Sequence, residues 1–167
     1  MNRKKFFDAA AHWDVETVTA GLREDRGLAR VVDERGRTAL HRCARTNGPK
    51  DGRDVANSLR VAKALLKAGA NPNAIHDIPD EGGSFKATPL WYAVAWGRNP
   101  GLVRVLLDMG ADPSGCLWAC VWVNDVEMAK TLVKAGAPLD EVRGGETPLA
   151  YATRTKKAAF YKVLGSR

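Results

Sequence analysis

The sequence predicts an all-α solenoid of stacked antiparallel helix pairs, connected by loops and by short fingers that resemble β-hairpins. Three observations carry this prediction: a helix ending that recurs along the chain, a helix start that recurs before it, and small residues that follow each start. A helix pair cannot bury its apolar face alone, so repeated pairs stack and share one continuous core.

The recurring ending is an amphipathic helix that stops at a glycine. Glycine suits a left-handed C-terminal cap because it has no Cβ atom to clash with the backbone. A proline or asparagine shortly afterwards keeps the helix from restarting. The ending occurs as Leu65-Leu66-Lys67-Ala68-Gly69-Ala70, Leu106-Leu107-Asp108-Met109-Gly110-Ala111 and Leu132-Val133-Lys134-Ala135-Gly136-Ala137.

The recurring start begins with a threonine, whose hydroxyl oxygen can cap free backbone N–H groups. In two of its three copies a proline follows, which suits the first helical position because its missing N–H is not needed there. Small residues such as Ala44, Ala93 and Ala152 come next and allow neighbouring helices to approach closely. The start occurs as Thr38-Ala39-Leu40-His41, Thr88-Pro89-Leu90-Trp91 and Thr147-Pro148-Leu149-Ala150.

Together these motifs resemble ankyrin repeats, whose signature is Thr-Pro-Leu-His with a following alanine in a period of about 33 residues. The resemblance covers nearly the whole chain and implies one ankyrin-repeat domain, residues 1–167. Its five units are predicted at about 3–32, 33–74, 84–114, 115–140 and 144–167, the first and last being caps.

Several segments depart from the family pattern. Unit two carries an insertion around residues 48–54, which is either a binding loop or a disordered spacer, and an acidic loop over residues 77–83 precedes unit three. We expect residues 82–86 to form a flexible loop, because they lack the Gly-Lys-Ser/Thr ending of a phosphate-binding loop. Trp91 and Trp118 stand where histidine is usual, and we expect them to fill space between repeats.

Composition bounds the class of protein. The 167 residues are 45% apolar and 27% charged, an ordinary mix for a soluble globular domain. No apolar run approaches the ~20 residues of a membrane-spanning helix. Asp8, His12 and Asp14 interrupt any apolar stretch behind the basic start, so no signal peptide is predicted and the cytoplasm is expected. The three cysteines are predicted to be free thiols.

The resemblance implies that the concave face and the loop tips bind partners. In the family, the two positions after the Leu-x-Ala-Ala of each first helix are exposed. Here they are Ala11 and His12, Arg45 and Thr46, Ala95 and Trp96, Trp122 and Val123, and Arg154 and Thr155. Tryptophan and arginine dominate the binding energy of protein interfaces. With the loop tips added, the predicted partner-binding residues are His12, Arg35, Arg37, Arg45, Trp96, Trp122, Arg143 and Arg154. The alternative for Trp96 and Trp122 is that both indoles pack against a neighbouring unit.

The predicted function is therefore a protein-interaction module, a scaffold or adaptor, that binds an unidentified protein as a monomer and without a membrane. The net charge of +7 favours acidic partners of any kind; the alternative is a solvated surface whose charge serves solubility alone. The alternative is a binder of nucleic acid or another polyanion, which would use the basic terminal units. The basic tail consists of Arg154, Lys156, Lys157, Lys162 and Arg167.

No enzyme activity, cofactor or metal site is predicted, because no phosphate-loop, dinucleotide or metalloprotease motif occurs. His41 follows the family motif, in which the histidine bonds to the backbone or to the motif threonine. Cys116 and Cys120 are four apart on a predicted helix and so share a face. Two thiols do not complete a zinc site, and we expect both to be small buried side chains.

Overall fold

The computed structural model describes residues 1–48, 50, 52–80 and 83–165. These residues form pairs of short antiparallel helices and one β-hairpin, so the predicted helical repeat solenoid is confirmed. The chain divides into two compact units, residues 1–111 and 112–167, which we call the N-terminal and C-terminal units.

The N-terminal unit contains three helix pairs, one in each of the first three predicted repeats. Its helices are α1 (Arg3–His12), α2 (Val15–Glu24), α3 (Ala39–Arg45), α4 (Val55–Lys67), α5 (Pro89–Tyr92) and α6 (Pro100–Asp108). A 3₁₀ turn, Arg26–Ala29, follows α2, and a π-helical turn, Ala93–Gly97, continues α5.

The C-terminal unit contains two further helix pairs. Its helices are α7 (Cys116–Val123), α8 (Val126–Lys134), α9 (Pro148–Arg154) and α10 (Tyr161–Leu164), the last preceded by a 3₁₀ turn, Ala158–Phe160. Leu117, Leu132 and Phe160 are buried to 2% exposure or less and form the centre of this unit.

The motif threonines begin helices as the sequence indicates. The hydroxyl oxygens of Thr38, Thr88 and Thr147 each accept a hydrogen bond from the backbone N–H three residues on, at 3.4, 3.2 and 3.2 Å. The ring of His41 lies against the first of these caps, with Nδ1 2.8 Å from the Thr38 hydroxyl and 3.2 Å from its backbone nitrogen. Its structural role is therefore confirmed.

The motif glycines end helices in one shared geometry. Gly69, Gly110 and Gly136 have φ angles of 98°, 86° and 86°. In each case the glycine N–H and the following alanine N–H donate back to carbonyls of the last helical turn, a pattern that satisfies the free carbonyls of a helix end. The helix endings predicted from the sequence are confirmed.

Two predictions about the segment before unit three are wrong. Strands β1 (His76–Asp80) and β2 (Gly83–Ala87) pair antiparallel, where the sequence suggested an acidic loop and a flexible glycine loop. In the pairing of the two strands, Ile78 lies opposite Phe85. The centroid of the Phe85 ring lies 4.8 Å from the centroid of the Trp91 ring. Glu81 and Gly82 lie outside the described residues.

The insertion in unit two is anchored at both of its ends. Gly48 is buried beside the Trp13 ring, and the backbone N–H of Arg53 donates to the Gly48 carbonyl at 2.9 Å. Pro49 and Asp51, in the middle of the insertion, lie outside the described residues. Of the helices that the structure describes, none has the length and apolar character to span a bilayer.

Candidate functional site

A concave cleft of about 1030 Å³ opens in the N-terminal unit. Its walls come from α1, from the turn before α3, from α3 itself and from the π-helical turn. Side chains of both charges line it, and Phe7, Val32 and Trp96 add apolar surface. The lining cations are Arg3, Lys4, Arg35, Arg37, Arg42 and Arg45, and the lining acids are Asp8, Asp33 and Glu34.

Asp33 organises one wall of this cleft. Its Oδ2 accepts hydrogen bonds from Arg37 Nη2 at 2.8 Å and Nε at 3.0 Å, while its Oδ1 accepts from the backbone N–H groups of Arg35 and Arg37. Burial raises the pKa of the Asp33 carboxyl, but the hydrogen bonds from Arg37 and Arg35 outweigh it, so the pKa lies below its ordinary value.

The prediction that Arg37 is an exposed loop-tip residue is wrong. Arg37 is 7% exposed, and its guanidinium is committed to the paired interaction with Asp33. The physical reason is that a turn with two charged ends closes on itself when the guanidinium and the carboxylate match in geometry.

Arg42 completes this wall of ion pairs. Its guanidinium lies between two acids, 3.0 Å from Asp8 Oδ1 and 3.3 Å from Asp33 Oδ2. Because Asp8 belongs to α1 and Arg42 to α3, the pair joins neighbouring repeats across the cleft wall. Arg37, Arg42, Asp8 and Asp33 therefore neutralise one another within the protein.

Four further cations line the cleft. Among the described residues, no acidic side chain forms an ion pair with Arg3, Lys4, Arg35 or Arg45, although all four line the cleft. The Arg45 guanidinium instead lies 5.2 Å from the centroid of the Trp96 ring, a cation–π contact.

Trp96 is half-buried and belongs partly to the core. Its ring lies 4.9 Å from that of Trp91 and 4.6 Å from that of Tyr92, both in edge-to-face geometry. The Trp96 indole is therefore partly packed against other side chains, as in the alternative to an exposed residue, although the rings that it contacts belong to its own unit. Its neighbour Ala95, expected to be exposed, is 4% exposed, so that expectation is wrong.

The π-helical turn explains why the end of the first helix of unit three packs differently from the same position in unit four. The stretch from the cap Thr88 to the next cap, Asn99, is one residue longer than that from Gly115 to Asp125. An extra residue inside a helix is accommodated as a π turn. This insertion is visible in the sequence and is the signal that could have predicted the altered packing of Trp96.

Three predicted site residues belong to the C-terminal unit. Trp122 is 53% exposed at the end of α7. Arg154 pairs with Glu146 at 2.7 Å, and its guanidinium lies 5.2 Å from the centroid of the Tyr151 ring, which stacks on Trp118. Arg143 sits in a tight turn that Glu146 closes through two backbone hydrogen bonds.

His12 is the remaining predicted residue. It is exposed at the end of α1, and its Nδ1 donates to the Asp8 carbonyl at 2.7 Å, but it does not line the cleft. Of the predicted set, the structure thus brings Arg35, Arg37, Arg45 and Trp96 to one cleft. Sequence reasoning missed Arg3 and Lys4, for which the signal was the run of basic residues that begins α1.

Burial shifts the pKa of several titratable groups outside the cleft. Burial lowers the pKa of His41 to about 4 and raises that of the Cys43 thiol to about 12. Burial likewise raises the pKa of Cys116 and Cys120, which are free and buried on one face of α7. Within the described ranges, no cluster of three or more His, Cys, Asp or Glu side chains could hold a metal ion.

Comparison with known proteins places this fold in a family. Family models for the ankyrin repeat match residues 35–77 and 85–115. A fowlpox virus (strain NVSL) protein, named as the ankyrin repeat protein FPV014, is 27% identical over 166 residues and 95% of this chain. The chain spans about a third of that relative's length, 34%.

A solved structure shows the same architecture. The crystal structure of the human ASB11 ankyrin repeat domain matches with a TM-score of 0.71 at 22% identity, over 96% of this chain and 67% of that chain. Ankyrin repeats are generally protein–protein interaction modules. Since the recurring caps, the helix pairs and two matched repeats agree, the chain is an ankyrin repeat protein.

Proposed function

We propose that this chain is a protein-binding scaffold or adaptor, without catalytic activity, that holds its partner in the cleft of the N-terminal unit. The observation that carries the proposal is the cleft itself, about 1030 Å³ in volume and lined by side chains from three successive repeats. The predicted residues Arg35, Arg45 and Trp96 lie on its walls, and arginine and tryptophan are the residue types that anchor protein interfaces.

Trp122 offers a second contact, independent of the cleft. A tryptophan that exposes 53% of its surface costs hydration free energy unless a partner covers it. His12, Arg143 and Arg154 remain in the proposed set as polar contacts. We also propose a monomer in the cytoplasm, where buried free thiols stay reduced.

Polyanion binding by the basic tail has less support. Lys157 Nζ donates to the backbone carbonyls of Val121 and Trp122, so this cation ties the tail to α7. Arg154 is paired with Glu146. Both cations are thus engaged within the C-terminal unit, and Arg167 lies outside the described residues.

The test is affinity capture from nuclease-treated host lysate, with the full chain as bait and mass spectrometry as the readout. We expect a specific protein to be retained by the wild type and lost with Arg45→Glu. The matched control is Arg104→Glu, the same charge reversal at an exposed α6 residue of the same unit that does not line the cleft. Equal capture by the two variants would contradict the cleft as the binding site.

Trp122→Ala is a separate variant in the same experiment, and we expect it to reduce capture without unfolding the chain. Trp96→Ala is a poor probe, because Trp96 packs on Trp91 and Tyr92 and its removal from such a cluster costs stability as well as contact. Circular dichroism checks that each variant keeps its helices. Undiminished capture by Trp122→Ala would remove that residue from the site.

A further inference from the structure

We propose that the occupant of the cleft is an acidic polypeptide segment, with carboxylates that bind Arg35, Arg45 and the first turn of α1 and an apolar side chain between them. This inference rests on the proposed function and names the chemistry of the partner.

Some charged side chains of the cleft are ion-paired within the protein, and others are left to contact a partner. The acids Asp8 and Asp33 are ion-paired with Arg42 and Arg37, so their charges are balanced within the cleft wall. What is left in the described part of the chain is four cations without an ion pair against one such acid, Glu34. The four cations are Arg3, Lys4, Arg35 and Arg45.

The start of α1 reinforces this positive charge. Arg3, Lys4 and Lys5 occupy the first turn, which contains no acidic residue, although the positive end of a helix dipole favours acids there. Three cations at that end repel one another and the dipole, and an anionic partner would relieve the repulsion. Two of them, Arg3 and Lys4, line the cleft.

Arginine favours carboxylates in particular. The planar guanidinium presents paired N–H groups that match the two oxygens of a carboxylate. Arg35 and Arg45 are both exposed and free to make such pairs. The apolar share of the lining, which includes Trp96 and the 50% exposed Val32, suits one aliphatic or aromatic side chain.

The same geometry argues against a nucleic acid in this cleft. Bases bind single-strand sites by stacking on open aromatic faces. The Trp96 ring is already in contact with Trp91, Tyr92 and the Arg45 guanidinium.

The test is an unbiased selection of peptides from a random phage-displayed library on the immobilised full chain. It is run in parallel on the wild type, on Arg35→Glu/Arg45→Glu and on the control Arg104→Glu. We expect the wild type and the control to select peptides rich in Asp and Glu around an apolar residue. Synthetic copies of the selected peptides should bind Arg35→Glu/Arg45→Glu at least about tenfold more weakly than the wild type. Replacing Glu with Gln in these peptides should weaken their binding to the wild type.

The outcomes separate the two proposals. Selected peptides that need the cleft arginines but carry no excess of acid would overturn the acidic partner and leave the protein-binding cleft standing. Peptides that bind all three proteins alike would overturn both proposals. A single-stranded oligothymidylate that displaces the peptides from the cleft, with the steep salt dependence of phosphate contacts, would replace the polypeptide with a polyanion. Thermal unfolding of each variant confirms that the charge reversals leave the fold intact.

Discussion

Gly110 shows at the scale of one residue how this chain stops a helix. Its φ of 86° lies in the left-handed region, and apart from Gly110 and its two chain neighbours no residue comes within 4 Å of where a Cβ would stand. A substitution there therefore tests the backbone alone. We expect Gly110→Val to lower the free energy of unfolding by about 1–2 kcal/mol, measured by urea denaturation. Gly69 is a less direct probe, because a Cβ there would stand 2.7 Å from Arg30 Nη2.

Gly101 provides the matched control for that measurement. It lies inside α6 with an ordinary helical backbone, and a Cβ there would make normal contacts at 3.5 Å. Gly101→Ala should stabilise the chain by about 0.5–1 kcal/mol, since alanine loses less conformational freedom in a helix. A Gly110 variant as stable as the wild type would show that Gly110 does not serve as a left-handed cap.

The turn before α3 is stabilised by one carboxylate, that of Asp33. Asp33 accepts hydrogen bonds from the Arg35 and Arg37 backbone and pairs with two guanidinium groups. Asp33→Asn removes the charge while keeping the shape. We expect a loss of about 1–3 kcal/mol of stability near neutral pH, because the arginines then lack their counter-charge.

The pH dependence of that loss follows from the lowered pKa of Asp33. Its ordinary pKa is 3.8, and the folded state lies below it. The stabilisation is therefore complete above about pH 3.8 and disappears as the pH falls through the folded-state pKa. Urea denaturation of wild type and Asp33→Asn at decreasing pH should show converging curves. A stability difference that stays constant into acid would contradict the role given to this carboxylate.

The reactivity of the three buried thiols can be used to follow unfolding of both units. Cys43 belongs to the N-terminal unit, and Cys116 and Cys120 belong to the C-terminal unit. Burial raises the pKa of all three, so each should react with a thiol reagent only when its unit opens. The C-terminal unit, residues 112–167, is below the roughly 70–80 residues at which one core suffices.

We therefore expect the chain to unfold as one domain. Pulsed alkylation at increasing urea, followed by mass spectrometry of the labelled peptides, should give one midpoint for all three cysteines. The control is labelling in full denaturant, where the three thiols should react alike. Labelling of Cys116 and Cys120 at lower urea than Cys43 would show that the two compact units unfold separately.

The sequence by itself determined where most helices begin and end. A threonine cap or a glycine ending acts on atoms within a few residues, so Thr88 and Gly69 could be recognised without knowledge of the fold. The same locality explains why the repeat pattern, and with it the helical solenoid, was visible in the chain alone. Two local signals were missed: the extra residue that is accommodated as the π turn, and the polar–apolar alternation of Ser84-Phe85-Lys86-Ala87 in β2.

Only the tertiary structure decided which charged and aromatic side chains remain available to a partner. Arg42 pairs with Asp8, which lies 34 positions away in the chain, whereas Arg45 forms no ion pair with any acid in the described part of the chain. Trp96 is half-covered by Trp91 and Tyr92, whereas Trp122 remains exposed. The physical reason is that exposure and pairing are set by neighbours brought together through stacking of the repeats, and no local pattern encodes those neighbours.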